Sequence, residues 1–278
     1  SLRRQRQMCI RDREMEYCNK RTYRKRMKKA FEYLISSRPT EPLMFNALSV
    51  CMEMVNKYKY DSAREHLELM TMRILDRLAD NKEKISMNGA GLIRDGDRIM
   101  TICHSSSVIG ILVEANRRGK CIEVYACETR PRWQGRQTAK ELAAAGLKVN
   151  MIVDGAMGHY IDDVDRVIVG CDSVDREGNF ANKVGTRALA ELARNHDKRF
   201  YVAGELFKLD HRYPIPIEQR DPNEVADEKM FRGVRILNPA FDLVPSMFIT
   251  GGIITEIGIL GPKQFYRAAV KELKRLIP

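Results

Sequence analysis

The stretch RIMTICHSSSVIG, residues 98–110, changes character in its middle. Its first six residues form a short apolar run with no helical period, as in a strand buried on both faces. From Ser105 onward it has the hydroxyl-then-apolar pattern that opens a helix. At the junction stand a thiol, an imidazole and a hydroxyl, on Cys103, His104 and Ser105. A cysteine at a strand end is ordinarily small, buried and inert. The carboxyl end of a strand is also where an α/β sheet presents groups to a ligand. The local sequence fits both readings.

The same grammar repeats downstream. IEVYAC (122–127), VNMIVD (149–154), RVIVGC (166–171), FYVAGE (200–205) and MFITGGIIT (247–255) are further apolar runs. Amphipathic segments such as TAKELAAAGL (138–147) and GTRALAELARNHD (185–197) separate them. Apolar strands alternating with helices predict an α/β domain with a mostly parallel sheet covered on both faces. No GxGxxG follows the first strand, so the usual dinucleotide fingerprint is absent.

Polar clusters fall just after these runs. ETRPRWQG (128–135), Asp154-Gly155, Asp172 with the later NKVGT (182–186), and Lys208 join the cluster at Cys103. One such cluster is ordinary loop composition. Five at equivalent strand ends point to a single pocket at the carboxyl edge. Each residue also has a plain structural role open to it. Ser105 can be a helix cap, and the same geometry can bind an anion. His104 is more often scaffold than catalyst. Asp172 can cap the next turn, although a carboxylate after a central strand is costly to bury unpaired. Asn182 and Lys183 can simply start a helix, and Arg130 has Glu128 and Glu141 available as partners.

Upstream, residues 14–92 are charged and helical in pattern. In YRKRMKKAFEYLI (23–35), Met27, Phe31 and Leu34 mark an apolar face. SRPTEP (37–42) ends that helix, because proline cannot continue one. A second helical region starts near Asp61. The division expected is a helical N-terminal domain over 14–92 and a sheet domain over 93–278. Residues 1–13, SLRRQRQMCIRDR, hold five Arg and one Asp without any period. They resemble translated sequencing adapter and are expected to be a non-native segment.

The chain has 278 residues and 44% hydrophobic content, enough for one large domain or one with a smaller partner. Its net charge is +11, of which residues 1–13 supply +4; the +7 of the rest suits a polyanion such as nucleic acid or a sugar bisphosphate. No interleaved basic and aromatic pattern favours nucleic acid, so none is expected as partner. No apolar run approaches a membrane span. Seven scattered cysteines without a CxxC pair fit reduced thiols in a cytoplasmic protein. No metal cluster or cofactor motif is visible, and neither is expected.

Taken together, CHSSS, ETRPRWQGRQTAKEL, VGCDSV with GNFANKVGT, GELFKLD, RDPNEV and NPAFDLVP with GGIITEIG resemble archaeal-type ribose-1,5-bisphosphate isomerases. The wider family includes methylthioribose-1-phosphate isomerases and regulatory subunits of translation initiation factor 2B. The resemblance implies a Rossmann-like, mostly parallel C-terminal sheet and a small helical N-terminal domain. It places Cys103 and Asp172 at the catalytic pair, as acid and base. SRPTEP with the following Asn46 resembles a substrate segment, which places Arg38 at a phosphate, and Asn182, Lys183 and Lys208 match substrate contacts. Arg130 and the helix start at Ser105 complete the donors that two phosphates call for. It also implies a homodimer or homohexamer. Cys171 departs from the family, which usually has Ala there. The alternatives kept open are a methylthioribose-1-phosphate isomerase and a non-catalytic factor 2B-like subunit.

Overall fold

A computed structural model describes residues 20–36, 41–58 and 60–276 of the chain. Among the described residues three helices come first: α1 (Lys20–Ser36), α2 (Pro42–Lys57) and α3 (Tyr60–Leu92). Pro42 sits in the first turn of α2, where its missing N–H has no helical partner to lose. Tyr23 and Met27 of α1 pack on Val55 of α2, with Phe31 alongside. Leu34, expected on that apolar face, is instead exposed, and Tyr23 carries the packing.

The chain then alternates as its pattern predicts. In order come β1 (Arg98–Thr101), α4 (Ser106–Arg117), β2 (Glu123–Cys127), α5 (Gln134–Ala144) and β3 (Lys148–Ile152). A short helix α6 (Met157–Tyr160), β4 (Arg166–Gly170), β5 (Ser173–Val174), β6 (Phe180–Lys183), α7 (Thr186–Asn195) and β7 (Arg199–Ala203) follow. The chain closes with β8 (Phe241–Val244), β9 (Gly252–Thr255), β10 (Gly258–Leu260) and α8 (Pro262–Leu276).

All six apolar runs contain a strand, and their seven-stranded sheet has the order β10-β9-β7-β4-β1-β2-β3. Every pairing in it is parallel except β9 with β10. The strands are short, and their side chains divide between the faces with period two. Val167 and Val169 of β4 enter the core on one face, while Ile168 enters the core on the other. This is why each strand reads as a continuous apolar run. On the second face α3 lies hard against α4. A Cβ on Gly89 of α3 would come within 2.4 Å of Ile111, so only glycine permits that approach.

The order of strands fixes where a ligand can enter. From β1 the chain proceeds to β2 and β3 on one side. From β4 it proceeds to β7 and β9 on the other. β1 and β4 therefore flank the topological switch point, and in sheets of this kind the ligand crevice lies beyond the carboxyl ends of such a pair. A smaller antiparallel sheet, β5-β6-β8, stands at that end. The sequence pattern does not announce it. All four residues of β6, Phe180 to Lys183, are buried, so it shows no apolar–polar alternation.

Candidate active site

Cys103 leaves β1 with φ 71, in the left-handed region that non-glycine residues rarely adopt. Its N–H donates to Thr129 Oγ1 at 2.9 Å, and its carbonyl accepts from Thr138 Oγ1 at 2.8 Å. The thiol is pushed up to about 11. Burial is the main cause; the charges of Asp172 and Asp154 add to it, and the His104 N–H and Lys183 oppose it. It is therefore a protonated S–H across the neutral range.

Asp172 stands two residues beyond β4, and its N–H donates to Ala181 O at 2.8 Å. That bond ties the end of β4 to β6. Its carboxylate raises the pKa of Cys103 and supports the positive charge of both Lys183 and Lys208. One carboxylate thus acts on the thiol and on both lysines.

Lys183, at the end of β6, is only 4% exposed. Burial depresses its pKa, and nearby Arg220 pushes the same way against Cys103, Asp172 and Glu224. Lys208 arrives from a short turn after β7 and donates to Cys171 O at 2.5 Å. Burial opposes its charge, but Cys171, Asp172, Glu205 and Glu41 outweigh that and raise its pKa. Asn46 of α2 donates to Phe207 O and Leu209 O, both at 2.8 Å. The helical region thereby grips the turn that carries Lys208 from both sides.

The loop after β2 forms a second wall. Gly135 opens α5 so close to β2 that a Cβ there would lie 1.7 Å from Cys127 O. Asp154 receives the N–H groups of Thr129 and Arg130 at 2.8 and 2.7 Å. A strap follows the Lys208 turn. In it Arg220 binds both Glu218 and Glu224. Glu224 lies 3.8 Å from Arg132, and Val225 O accepts from Arg130 at 2.9 Å.

A family model described as the initiation factor 2 subunit family matches residues 6–262. The chain belongs to that family. Its relatives include the ribose 1,5-bisphosphate isomerase of Archaeoglobus fulgidus, 36% identical over 89% of this chain and 80% of that protein. The methylthioribose-1-phosphate isomerase of Geobacillus kaustophilus is 37% identical over 86% and 72%. Among solved structures, the translation initiation factor eIF-2B of Pyrococcus horikoshii superposes with TM-score 0.79. It is 28% identical, and the match spans 89% of this chain and 86% of that one.

Within this family frame, the crevice brings together Cys103, Asp172, Lys183 and Lys208. Ser105 sits on its rim as the cap of α4, accepting from Val108 N at 3.4 Å, and its hydroxyl packs against Gly170. Asn182 is buried and donates to Thr186 Oγ1 at 2.9 Å. Arg130 pairs with neither Glu128 nor Glu141: it reaches the strap and stacks 4.7 Å from the Trp133 ring. Glu128 instead faces Arg136 at 3.4 Å. His104 has the scaffold role, contacting Thr138 and Glu141. Cys171 is buried, with its thiol 3.7 Å from Ala203 O. Arg38 and residues 1–13 lie outside the described residues. Residue type does not single out Thr129 or Thr138, and Asn46 stands out only through the resemblance of the segment it follows. Their importance comes from contacts across 26 to 163 positions of sequence.

Among the described residues no group of three His, Cys, Asp or Glu could hold a metal ion. No described helix is long and apolar enough to cross a membrane.

Proposed function

We propose that this chain isomerises ribose 1,5-bisphosphate to ribulose 1,5-bisphosphate, with Cys103 as acid and Asp172 as base. The observation that carries the reading is the pair itself. The two strands flanking the switch point deliver a protonated thiol and a carboxylate to one crevice, beside two buried or half-buried lysines.

The chemistry follows from the substrate. Its anomeric oxygen is phosphorylated, so the ring cannot open to a free aldehyde. The bond between C1 and the ring oxygen must break while C2 becomes a ketone. Cys103 gives its proton to the ring oxygen, and Asp172 takes the proton of the C2 hydroxyl. The C2 hydrogen moves to C1, so atoms and electrons balance without an outside oxidant. Lys183, Lys208 and Arg130 supply cationic donors for the phosphates; Arg38 and the helix start at Ser105 complete the set. Asn182 orients the Lys183 segment through Thr186.

The chain is proposed to work as a homodimer or homohexamer. Ile253 and Ile254 of the C-terminal apolar segment are core, whereas Met247, Ile257 and Ile259 are exposed. Sedimentation that shows a monomer at micromolar concentration counts against assembly.

Separate incubations with ribose 1,5-bisphosphate, methylthioribose 1-phosphate and ribose 5-phosphate test the reaction. Ketose from the first alone is the expected result. Ketose from the second assigns the methylthioribose activity instead, and binding without turnover assigns a regulatory subunit. Cys103→Ser and Asp172→Asn should each lower kcat by about 100-fold or more. Because the two groups act in one step, the double variant should be little worse than either single one. A Cys103→Ser enzyme with near-normal kcat refutes the acid assignment.

A further inference from the structure

We propose that Thr129 and Thr138 are positioning residues for Cys103, their hydroxyls fixing the direction of the thiol. The inference deepens the acid assignment above and rests on it.

Cys103 has peptide groups on either side, and a different buried hydroxyl holds each one. Thr129 Oγ1 accepts the Cys103 N–H at 2.9 Å and donates to Cys127 O at 2.9 Å. Thr138 Oγ1 donates to Cys103 O at 2.8 Å. With its only proton used there, Thr138 can meet His104 Nδ1 at 3.3 Å only as acceptor, which puts the proton on Nδ1. Both threonines are essentially inaccessible to water, at 0% and 1% exposure.

The arrangement holds conformations that the chain would not keep unaided. Cys103 has φ 71, and Thr129 has φ 67 despite its branched Cβ. Positive φ on a branched residue is an outlier that the surroundings must enforce. Asp154 does so here, receiving the Thr129 N–H at 2.8 Å with one oxygen and the Arg130 N–H at 2.7 Å with the other. The brace therefore runs from Asp154, two residues beyond β3, through the loop after β2, to Cys103, two residues beyond β1. Left-handed residues cluster in this way where surrounding structure over-determines a functional geometry. With an extended backbone at residue 103, the Cα–Cβ bond would leave in another direction and the S–H with it.

The test compares Thr129→Val and Thr138→Val with Thr129→Ser and Thr138→Ser. Valine keeps the shape and removes the hydroxyl; serine keeps the hydroxyl. Each valine variant should lose about 100-fold in kcat with KM within about threefold, the scale of a displacement near 1 Å at a reacting group. The serine variants should stay within about threefold of wild type in both constants, since the hydrogen bond survives. Amide exchange at Cys103 reads the brace without any turnover. It should quicken by about tenfold or more in Thr129→Val and return toward wild type in Thr129→Ser. Folded valine variants with wild-type kcat, or serine variants as impaired as the valine ones, overturn the proposal. If Cys103→Ser itself keeps its turnover, the acid assignment fails separately. The exchange rates then still decide whether the threonines hold residue 103.

Discussion

The protonation of Cys103 can be measured directly, because thiol chemistry reports the thiolate alone. An ordinary thiol titrates at 9.0, and burial lifts Cys103 to about 11. At neutral pH that difference lowers the thiolate fraction by about 100-fold. A more basic thiolate is also a better nucleophile, with a Brønsted coefficient of about 0.4–0.5, which returns roughly 6- to 10-fold. Exchange with a small disulfide reagent should therefore run about 10- to 15-fold slower at Cys103 than at an ordinary thiol of equal access. Peptide mass spectrometry separates the sites, with the same Cys103 peptide in the denatured chain as the reference. The rate at Cys103 should rise about tenfold per pH unit until the pH nears 11. Two substitutions give the sign of the nearby charges. Asp172 raises this pKa and Lys183 lowers it. Asp172→Asn should therefore quicken the thiol while it slows turnover, and Lys183→Met should slow both. A rate that levels off near pH 8, or an Asp172→Asn enzyme with a slower thiol, refutes the reasoning.

Further outcomes follow from single contacts. Asn46→Ala strips Phe207 O and Leu209 O of their donor, next to buried side chains. It should cost about 2–4 kcal/mol in chemical denaturation, and a loss under about 0.5 kcal/mol contradicts the clasp. Gly135→Ala drives a Cβ to 1.7 Å from a backbone oxygen, so α5 must move. It should destabilise by about 1–3 kcal/mol or more, and an unchanged melting temperature argues against the close approach. Glu256 is raised from 4.5 to about 7, chiefly by burial, with Glu205 adding and the Leu206 N–H opposing. Its native state holds a proton that the unfolded chain has released. Its stabilising share is thus full below pH 4.5 and lost as pH rises to about 7, about 3 kcal/mol in all. Glu256→Gln should flatten that part of the stability profile, and a variant that keeps the slope assigns it to other groups.

The sequence by itself determined the α/β alternation, because strands buried on both faces must be apolar throughout and helices between them must be amphipathic. RVIVGC and IEVYAC are strands for that reason alone, and Cys103, Asp172 and Lys208 were legible as residues that close such strands. The same logic predicts one pocket at one sheet edge. What it could not give was the order of strands, since period and composition are the same whichever neighbour a strand pairs with. Only the fold sets β1 beside β4 and so puts Cys103 and Asp172 beyond the ends of neighbouring strands. Only the fold shows β6 as a strand, because its buried Asn182 and Lys183 break the apolar pattern that marks one. The partners of Arg130, Asn46, Thr129 and Thr138 belong to the same class. A hydrogen bond between residues far apart in the chain leaves no mark on local composition, so tertiary structure alone decided which hydroxyls bind the Cys103 backbone and which carbonyls the helical region grips.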